Sequence, residues 1–180
     1  MHLRPALPAD TAALEALIRL SARGLSRDDY SDAEIETCIA HVFGIDSELV
    51  ADGTYLVIEH DGAPVACGGW SRRRTLFGGD QYQGRESGFL DPVVDAAKIR
   101  AFFVHPDFAR QGLGSRLLGA CEDAARAAGF TRMEMMATLP GVKLYQAAGY
   151  APGPAQVFAM PNGVGLAFVP MWKTLTPKSL

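Results

Sequence analysis

Cysteine is scarce in this chain, charge of one sign is scarce, and long apolar runs are missing; each shortage removes a class of protein. Only three cysteines occur in 180 residues, Cys38, Cys67 and Cys121. They form no CxxC or Cys/His spacing, so a zinc site is not expected, and they read as small buried residues in a reduced compartment. Lys plus Arg is 17 against 20 for Asp plus Glu, a net charge of −3. That balance gives no electrostatic case for nucleic acid or for an anionic membrane surface. No run approaches the roughly 18 apolar residues of a membrane span, and "MHLRPALPAD" has no apolar leader core. A cytoplasmic protein without membrane or nucleic-acid partners is the expectation. What is present is an ordinary globular composition, 48% hydrophobic and 21% charged. It is enough for a proper core in one domain over residues 1–180.

The hydrophobic pattern alternates between helical and extended periods. "HLRPA" (2–6) reads as a first strand, Asp10 as the N-cap of a helix carrying Leu14, Leu17, Ile18 and Ser21 on one face, and Gly24 as its stop. Residues 31–42 read as a second helix, with Ser31 and Glu34 forming a capping box. "TYLVIEH" (54–60) and "APVACGGW" (63–70) are strands joined by the hairpin signal Asp61-Gly62. Residues 71–97 lack periodicity and read as a long loop, a feature often functional in a compact domain. "KIRAFFVH" (98–105) is apolar on both faces, as a central strand would be. A helix follows, with Leu113, Leu117, Leu118, Cys121, Ala124, Ala125 and Ala128 on one face and Gly129 at its end. "FTRMEMMAT" (130–138) is the strand after it, so the crossover implies a parallel pair. A short helix (141–148) ended by Gly149 and a hairpin around Asn162-Gly163 complete the pattern.

The corner at "HPDFARQGLGSRLL" (105–118) raises a question, because two glycines stand where a helix begins. Inside a helix each costs roughly 0.5–1 kcal/mol relative to alanine. The first turn of a helix offers unpaired N–H groups and the positive end of the dipole, which together bind phosphate. Bare backbone at Gly112 and Gly114 lets an anion approach, so residues 110–115 read as a phosphate or pyrophosphate cradle. A tight corner with no ligand is the plain alternative. Two better-known cradles fail: no Lys-Ser or Lys-Thr follows either glycine, and the GxGxxG fingerprint would need a small residue where Leu117 stands.

Residues 99–118 resemble the acyl-coenzyme A binding motif of the GCN5-related N-acetyltransferases (GNAT family). Val104, Pro106, Gly112 and Gly114 match its Val-x-Pro and [Q/R]-x-x-G-x-[G/A] pattern. The leading Gln or Arg falls on Ala109, which is a departure. "LYQAAGY" (144–150) resembles the family's L-Y-x-x-x-G-[FY] block at about the expected distance, although Thr138 or Leu139 stands where an Asn often precedes it. The start, "RPALPAD", also looks like the family's. The specific part of the resemblance is 99–150.

The resemblance implies an α/β domain with a mixed, mostly antiparallel central sheet flanked by helices. It implies acetyl-CoA as acyl donor and transfer of the acetyl group to an amine, small-molecule or peptide, by direct attack. Backbone of Phe102, Phe103 and Val104 would pair with the pantetheine arm, and amides of Arg110, Gln111, Gly112, Leu113, Gly114 and Ser115 would take the pyrophosphate. In the family the central strands splay at a bulge. The reaction needs donors for the developing oxyanion, a neutral amine and a proton for the departing thiolate. Tyr145 is the candidate proton donor and also borders the donor site; a core tyrosine is the plain reading. Glu134 is a candidate base, or else a structural partner of Arg100 across the sheet; Glu59, His60 and His105 are weaker candidates, and a water chain is another route. The basic cluster "RRRT" (Arg72–Thr75) reads as a solvated loop, or as a contact to an acidic acceptor or the coenzyme's phosphates. Trp70, Phe77, Tyr82 and Phe89 read equally as acceptor pocket, sheet-edge cover or homodimer contact, and the methionines at 133, 135 and 136 as core filler. The rivals are a non-catalytic acyl-coenzyme A sensing module and a nucleotide-binding redox domain, the latter opposed by the failed fingerprint.

Overall fold

The computed structural model describes residues 1–176. β1 (His2–Pro5) lies antiparallel to β2 (Tyr55–His60), and β2 turns into β3 (Ala63–Ser71) through Asp61 and Gly62, at φ 51° and 77°. Both turn residues are thus left-handed, the geometry that matches the twist of a two-residue hairpin. β3 pairs antiparallel with β4 (Ala97–Val104), and β4 is joined by α4 (Leu113–Ala127) to β5 (Arg132–Thr138), which runs parallel to it. β5 pairs with β8 (Gly165–Thr174), which also carries β6 (Ala151–Pro152) and β7 (Gln156–Ala159). The order is β1-β2-β3-β4-β5-β8-β6, mixed and mostly antiparallel, as expected.

Alternation along the strands explains the two covered faces. Tyr55 and Val57 join the core under α1 (Thr11–Leu25) and α2 (Asp32–His41), whereas Ile58 packs with Leu113 and Leu117 of α4. Further along α4, Leu118, Cys121 and Ala125 cover Met133 and Met135. All three cysteines are free and buried, and burial pushes the Cys38 and Cys67 thiols up to about 12, so neither is a thiolate at neutral pH. Among the described residues no helix is long and apolar enough to cross a membrane, and no group of His, Cys, Asp and Glu is arranged to hold a metal ion.

Three local expectations change. α1 does not stop at Gly24 but runs to Leu25. A Cβ on Gly24 would stand 2.4 Å from Pro106 Cγ, so this glycine lets the helix approach the corner after β4. Asp10 precedes α1, yet its carboxylate takes Arg4 (2.7 and 2.9 Å) and the Leu7 N–H instead of capping the helix. A short helix with no counterpart in the sequence pattern, α3 (Ser47–Ala51), follows α2; Asp46 caps it by accepting from Glu48 and Leu49 N–H. By contrast the Ser31–Glu34 capping box is as expected, with Glu34 N–H on Ser31 Oγ and Ser31 N–H on Glu34 Oε2. The last helix, α5 (Val142–Ala147), is followed by Gly149 at φ 89°.

Candidate functional site

The corner between β4 and α4 shows what the two glycines do. Gly112 is the N-cap of α4 at φ 79°, and a Cβ there would touch nothing within 4 Å. Arg110, two residues earlier, is also left-handed at φ 63°. This alternation points successive N–H groups to one side, a concave nest for an anion. From Arg110 to Ser115 no N–H meets an acceptor among the described residues; the first bond of the helix is Arg116 N–H to Gly112 O. Arg110, Gln111, Gly112 and Ser115 are exposed. Gly114 has a different reason. Its Cβ would stand 2.9 Å from Leu144 Cδ2, so it permits α4 to pack on α5, which corrects the reading that both glycines clear a path for an anion.

Upstream, β4 is bent. Its pairing with β3 slips between Cys67/Phe103 and Gly69/Arg100, which places one extra residue in β4. Ala101, at φ 55°, is in the left-handed region that a side chain seldom adopts. Two neighbours hold this bulge. The Tyr55 hydroxyl, fully buried, donates to Ala101 O (3.1 Å), and the Phe102 ring fills the space where a Cβ on Gly68 would stand, 2.5 Å away. Nothing in the sequence marks the bulge except the Gly68-Gly69 pair opposite it.

Ahead of the bulge β4 and β5 have already parted company. They pair only at Ala97/Met133 and Lys98/Glu134. The gap between them is a cavity of about 70 Å³. Ile99, Phe102, Met135 and Tyr145 wall it from the α4–α5 face, and Phe43, Phe77, Met136 and Phe168 from the α1–α2 face, so it crosses the plane of the sheet. Met135 and Met136 therefore border the opening as well as filling core.

Tyr145 lies 7% exposed, its ring edge-on to Phe102 (centroids 6.1 Å) and Tyr150 (5.9 Å). Burial raises its phenol above the ordinary tyrosine range, which keeps it protonated. Of the backbone at 102–104, Val104 N–H is taken by Ser21 Oγ on α1 (3.1 Å), and Phe103 and Val104 face Cys67 and Ala66 in the ladder with β3.

Glu134 is not among the residues lining the cavity. Its carboxylate accepts from Lys98 Nζ, its register partner on β4. The expected partner, Arg100, is engaged elsewhere: it donates to Asp46 Oδ2 (2.6 Å) and to the carbonyls of Thr75 (2.8 Å) and Gly78 (2.5 Å). Arg100 and Asp46 are both buried. Arg85 joins them through Asp46 (3.1 Å) and Glu48 (2.5 Å). Lys98 stands directly opposite Glu134 across the parallel pair, whereas Arg100, two residues on and on the same face, lies beyond the last rung; sequence spacing alone does not separate these two partners.

The long segment 72–96 is held on this network. Arg73 grips Asp52 with two bonds (2.7 and 2.8 Å), and Arg72 and Arg73 cover the Phe89 ring. Of the basic run, Arg73 is thus turned onto its own protein, while Arg72 and Arg74 are exposed. Of the aromatic residues there, Phe77 reaches the cavity and packs on Tyr82 (4.6 Å), while Trp70 is core beside Phe130. The weaker base candidates are occupied elsewhere: Glu59 pairs with Arg4 (2.5 Å), His60 approaches Asp61, and His105 accepts from Asp107 N–H (3.1 Å).

Comparison with known proteins agrees with this geometry. The family model described as "Acetyltransferase (GNAT) family" matches residues 15–150. No curated protein matches the chain. Among solved structures, a GCN5-related N-acetyltransferase from Rhodopseudomonas palustris is 25% identical, with a TM-score of 0.71 over 97% of this chain and 95% of its own. The PaiA N-acetyltransferase of Thermoplasma acidophilum, in complex with coenzyme A, is 14% identical (TM-score 0.61, 96% of this chain and 98% of that one). The YncA structure from Salmonella typhimurium, with its cofactor acetyl-CoA, is 18% identical (TM-score 0.63, 100% and 96%). The last two share the fold.

Proposed function

Because the chain belongs to the GNAT acetyltransferase family, we propose that residues 1–180 form one catalytic domain that moves the acetyl group of acetyl-CoA to an amine in the gap between β4 and β5. One observation carries this reading: through Phe102 and Phe103, β4 lines a cavity that crosses the sheet beside a buried phenol, and the corner that follows this strand leaves the N–H groups from Arg110 to Ser115 unpaired. The two coenzyme-bound neighbours of the same fold support acetyl-CoA as the donor substrate.

The nest of Arg110, Gln111, Gly112, Leu113, Gly114 and Ser115 fits a diphosphate, since its amides are unpaired, Arg110, Gln111, Gly112 and Ser115 are exposed, and Gly112 leaves its approach clear. The open edge of Phe102, Phe103 and Val104 carries the pantetheine arm, with the Val104 N–H already committed to Ser21. The amine nitrogen attacks the thioester carbonyl; a C–N bond forms, the C–S bond breaks, and the nitrogen's surplus proton passes to water. Tyr145 donates a hydrogen bond to the departing sulfur. A thiol titrates near 8.5 and a free phenol near 10, and burial lifts Tyr145 further. Outright proton loss from Tyr145 to the thiolate is therefore uphill, and the phenol stabilises the thiolate while solvent protonates it. Glu134, tied to Lys98 beside the cavity, has no direct part in this scheme.

Titration calorimetry with coenzyme A tests the donor site: micromolar or tighter uptake is expected, and none by folded protein overturns the reading. Tyr145→Phe is expected to lower kcat in a thiol-release assay about tenfold, the worth of one hydrogen bond to a charged group, with coenzyme A affinity unchanged. Equal kcat removes Tyr145 from the chemistry.

A further inference from the structure

The geometry points to an acceptor of one chemical class: a primary amine carried on an uncharged apolar body, aromatic or branched aliphatic. This deepens the acetyltransferase reading above and rests on it. On the α1–α2 face the cavity wall is Phe43, Phe77, Met136 and Phe168, and no charged side chain lines the cavity among the described residues. The rings form a packed wall: Phe77 lies 4.6 Å from Tyr82, 4.9 Å from Phe158 and 5.3 Å from Phe168, and Phe43 lies 5.3 Å from Phe103. Behind that wall stand charges, but all are spoken for. Arg100 and Arg85 point their N–H groups at Asp46, Glu48 and the carbonyls of Thr75, Gly78 and Gly79. The buried Asp46 carboxylate receives both arginines and two helix N–H groups.

Backbone acceptors near the wall are used as well. Phe43 O takes Gln81 Nε2 (2.8 Å), Val42 O takes Gly79 N–H (2.8 Å), and Gly78 O takes Arg100. The polar side chains left in the cavity are the hydroxyls of Thr138 and Tyr145. A carboxylate or a second ammonium on the acceptor would meet no counter-charge and would lose its water, a cost of several kcal/mol. A ring or branched alkyl group would instead extend the aromatic wall. The same dryness favours the neutral form of the attacking amine, because desolvation opposes the ammonium. That supplies the nucleophile without a carboxylate base in the cavity.

The test is a matched panel with the whole chain, read by thiol release and by calorimetry in the presence of coenzyme A. Phenethylamine and isoamylamine represent the proposed class. Phenylalanine adds a carboxylate to the same aromatic body, and putrescine puts a second ammonium on an alkyl one. We expect kcat/KM for phenethylamine to exceed that for phenylalanine and putrescine by at least about 30-fold, with binding heat from the apolar amines alone. Phe77→Leu, checked for an unchanged melting profile, is expected to raise KM for phenethylamine about 5-fold while sparing isoamylamine. Coenzyme A uptake with equal or better turnover of putrescine or phenylalanine overturns the acceptor class and leaves the donor site standing. Coenzyme A uptake with no turnover of either apolar amine overturns the acceptor class in the same way. Absence of coenzyme A uptake overturns the donor reading instead, and the acceptor class with it.

Discussion

Two irregular stretches flank the central strand β4, and they are built in opposite ways. Residues 105–112, after it, keep their backbone amides free and exposed from Arg110 onward and bend through two left-handed residues. Residues 72–96, before it, direct side chains inward: Arg85 reaches the buried Asp46, Arg73 reaches Asp52, and Thr75 exchanges bonds with the backbone of Glu86 (2.8 and 3.0 Å). A stretch that leaves main-chain donors unspent is open to a ligand. One that consumes its polar groups internally makes a wall, here the wall bearing Phe77. Loop length alone says neither.

The largest effect should come from cutting the wall's anchor. Arg100→Met leaves Asp46, fully buried, with one arginine in place of two. Unfolding free energy by urea titration is expected to fall by about 3–5 kcal/mol; a loss under about 1 kcal/mol would mean that 72–96 is not held as described. Next is Gly112→Val, which forces a β-branched residue to φ 79°. Strain of about 1–3 kcal/mol is expected, with coenzyme A affinity down about tenfold or more by calorimetry. Gly114→Ala is the matched control: its Cβ meets a leucine tip, so it should cost about 1 kcal/mol of stability and leave affinity within about 3-fold. Equal affinity losses from the two would erase the distinction between the glycines. Tyr55→Phe removes the donor to Ala101 O and is expected to cost about 1–2 kcal/mol.

The smallest effect depends on pH. The Arg73 hydrogen bonds hold the Asp52 carboxyl below the usual carboxylate range. A carboxyl with a depressed folded pKa contributes stability that is complete above its unfolded value, about 3.9, and is lost as pH falls through the folded one. The melting-temperature difference between the native chain and Asp52→Asn should thus be constant from pH 7 down to about 5 and close toward pH 2. A difference that persists at pH 2 would show that the Arg73 clamp does not act through the Asp52 charge.

Much of the scaffold was legible because its signals are local. The Ser31–Glu34 box, the Asp61-Gly62 turn and the terminal Gly129 each act within a few residues, and each is where the pattern put it. The corner after β4 was legible for the same reason. What escaped depends on partners distant along the chain. Gly24 looks like a helix stop until Pro106 arrives against it, and Gly114 looks like a clearing until Leu144 does. The bulge needs Tyr55 and Gly68 as well as Ala101. Arg100 sits 54 positions from Asp46, and Glu134 goes to Lys98 because the β4–β5 register sets those two opposite each other.

The ladder between β4 and β5 has two rungs, at Ala97/Met133 and Lys98/Glu134. The sheet is consequently a pair of leaves, β1–β4 and β5–β8, with a crevice where the middle seam should be. A slender molecule threaded into that crevice completes the fold as mortar completes a joint. On the proposed reading, substrate occupancy and stiffness of the protein rise together, and amide exchange at 99–104 and 135–138 is expected to slow when coenzyme A is added.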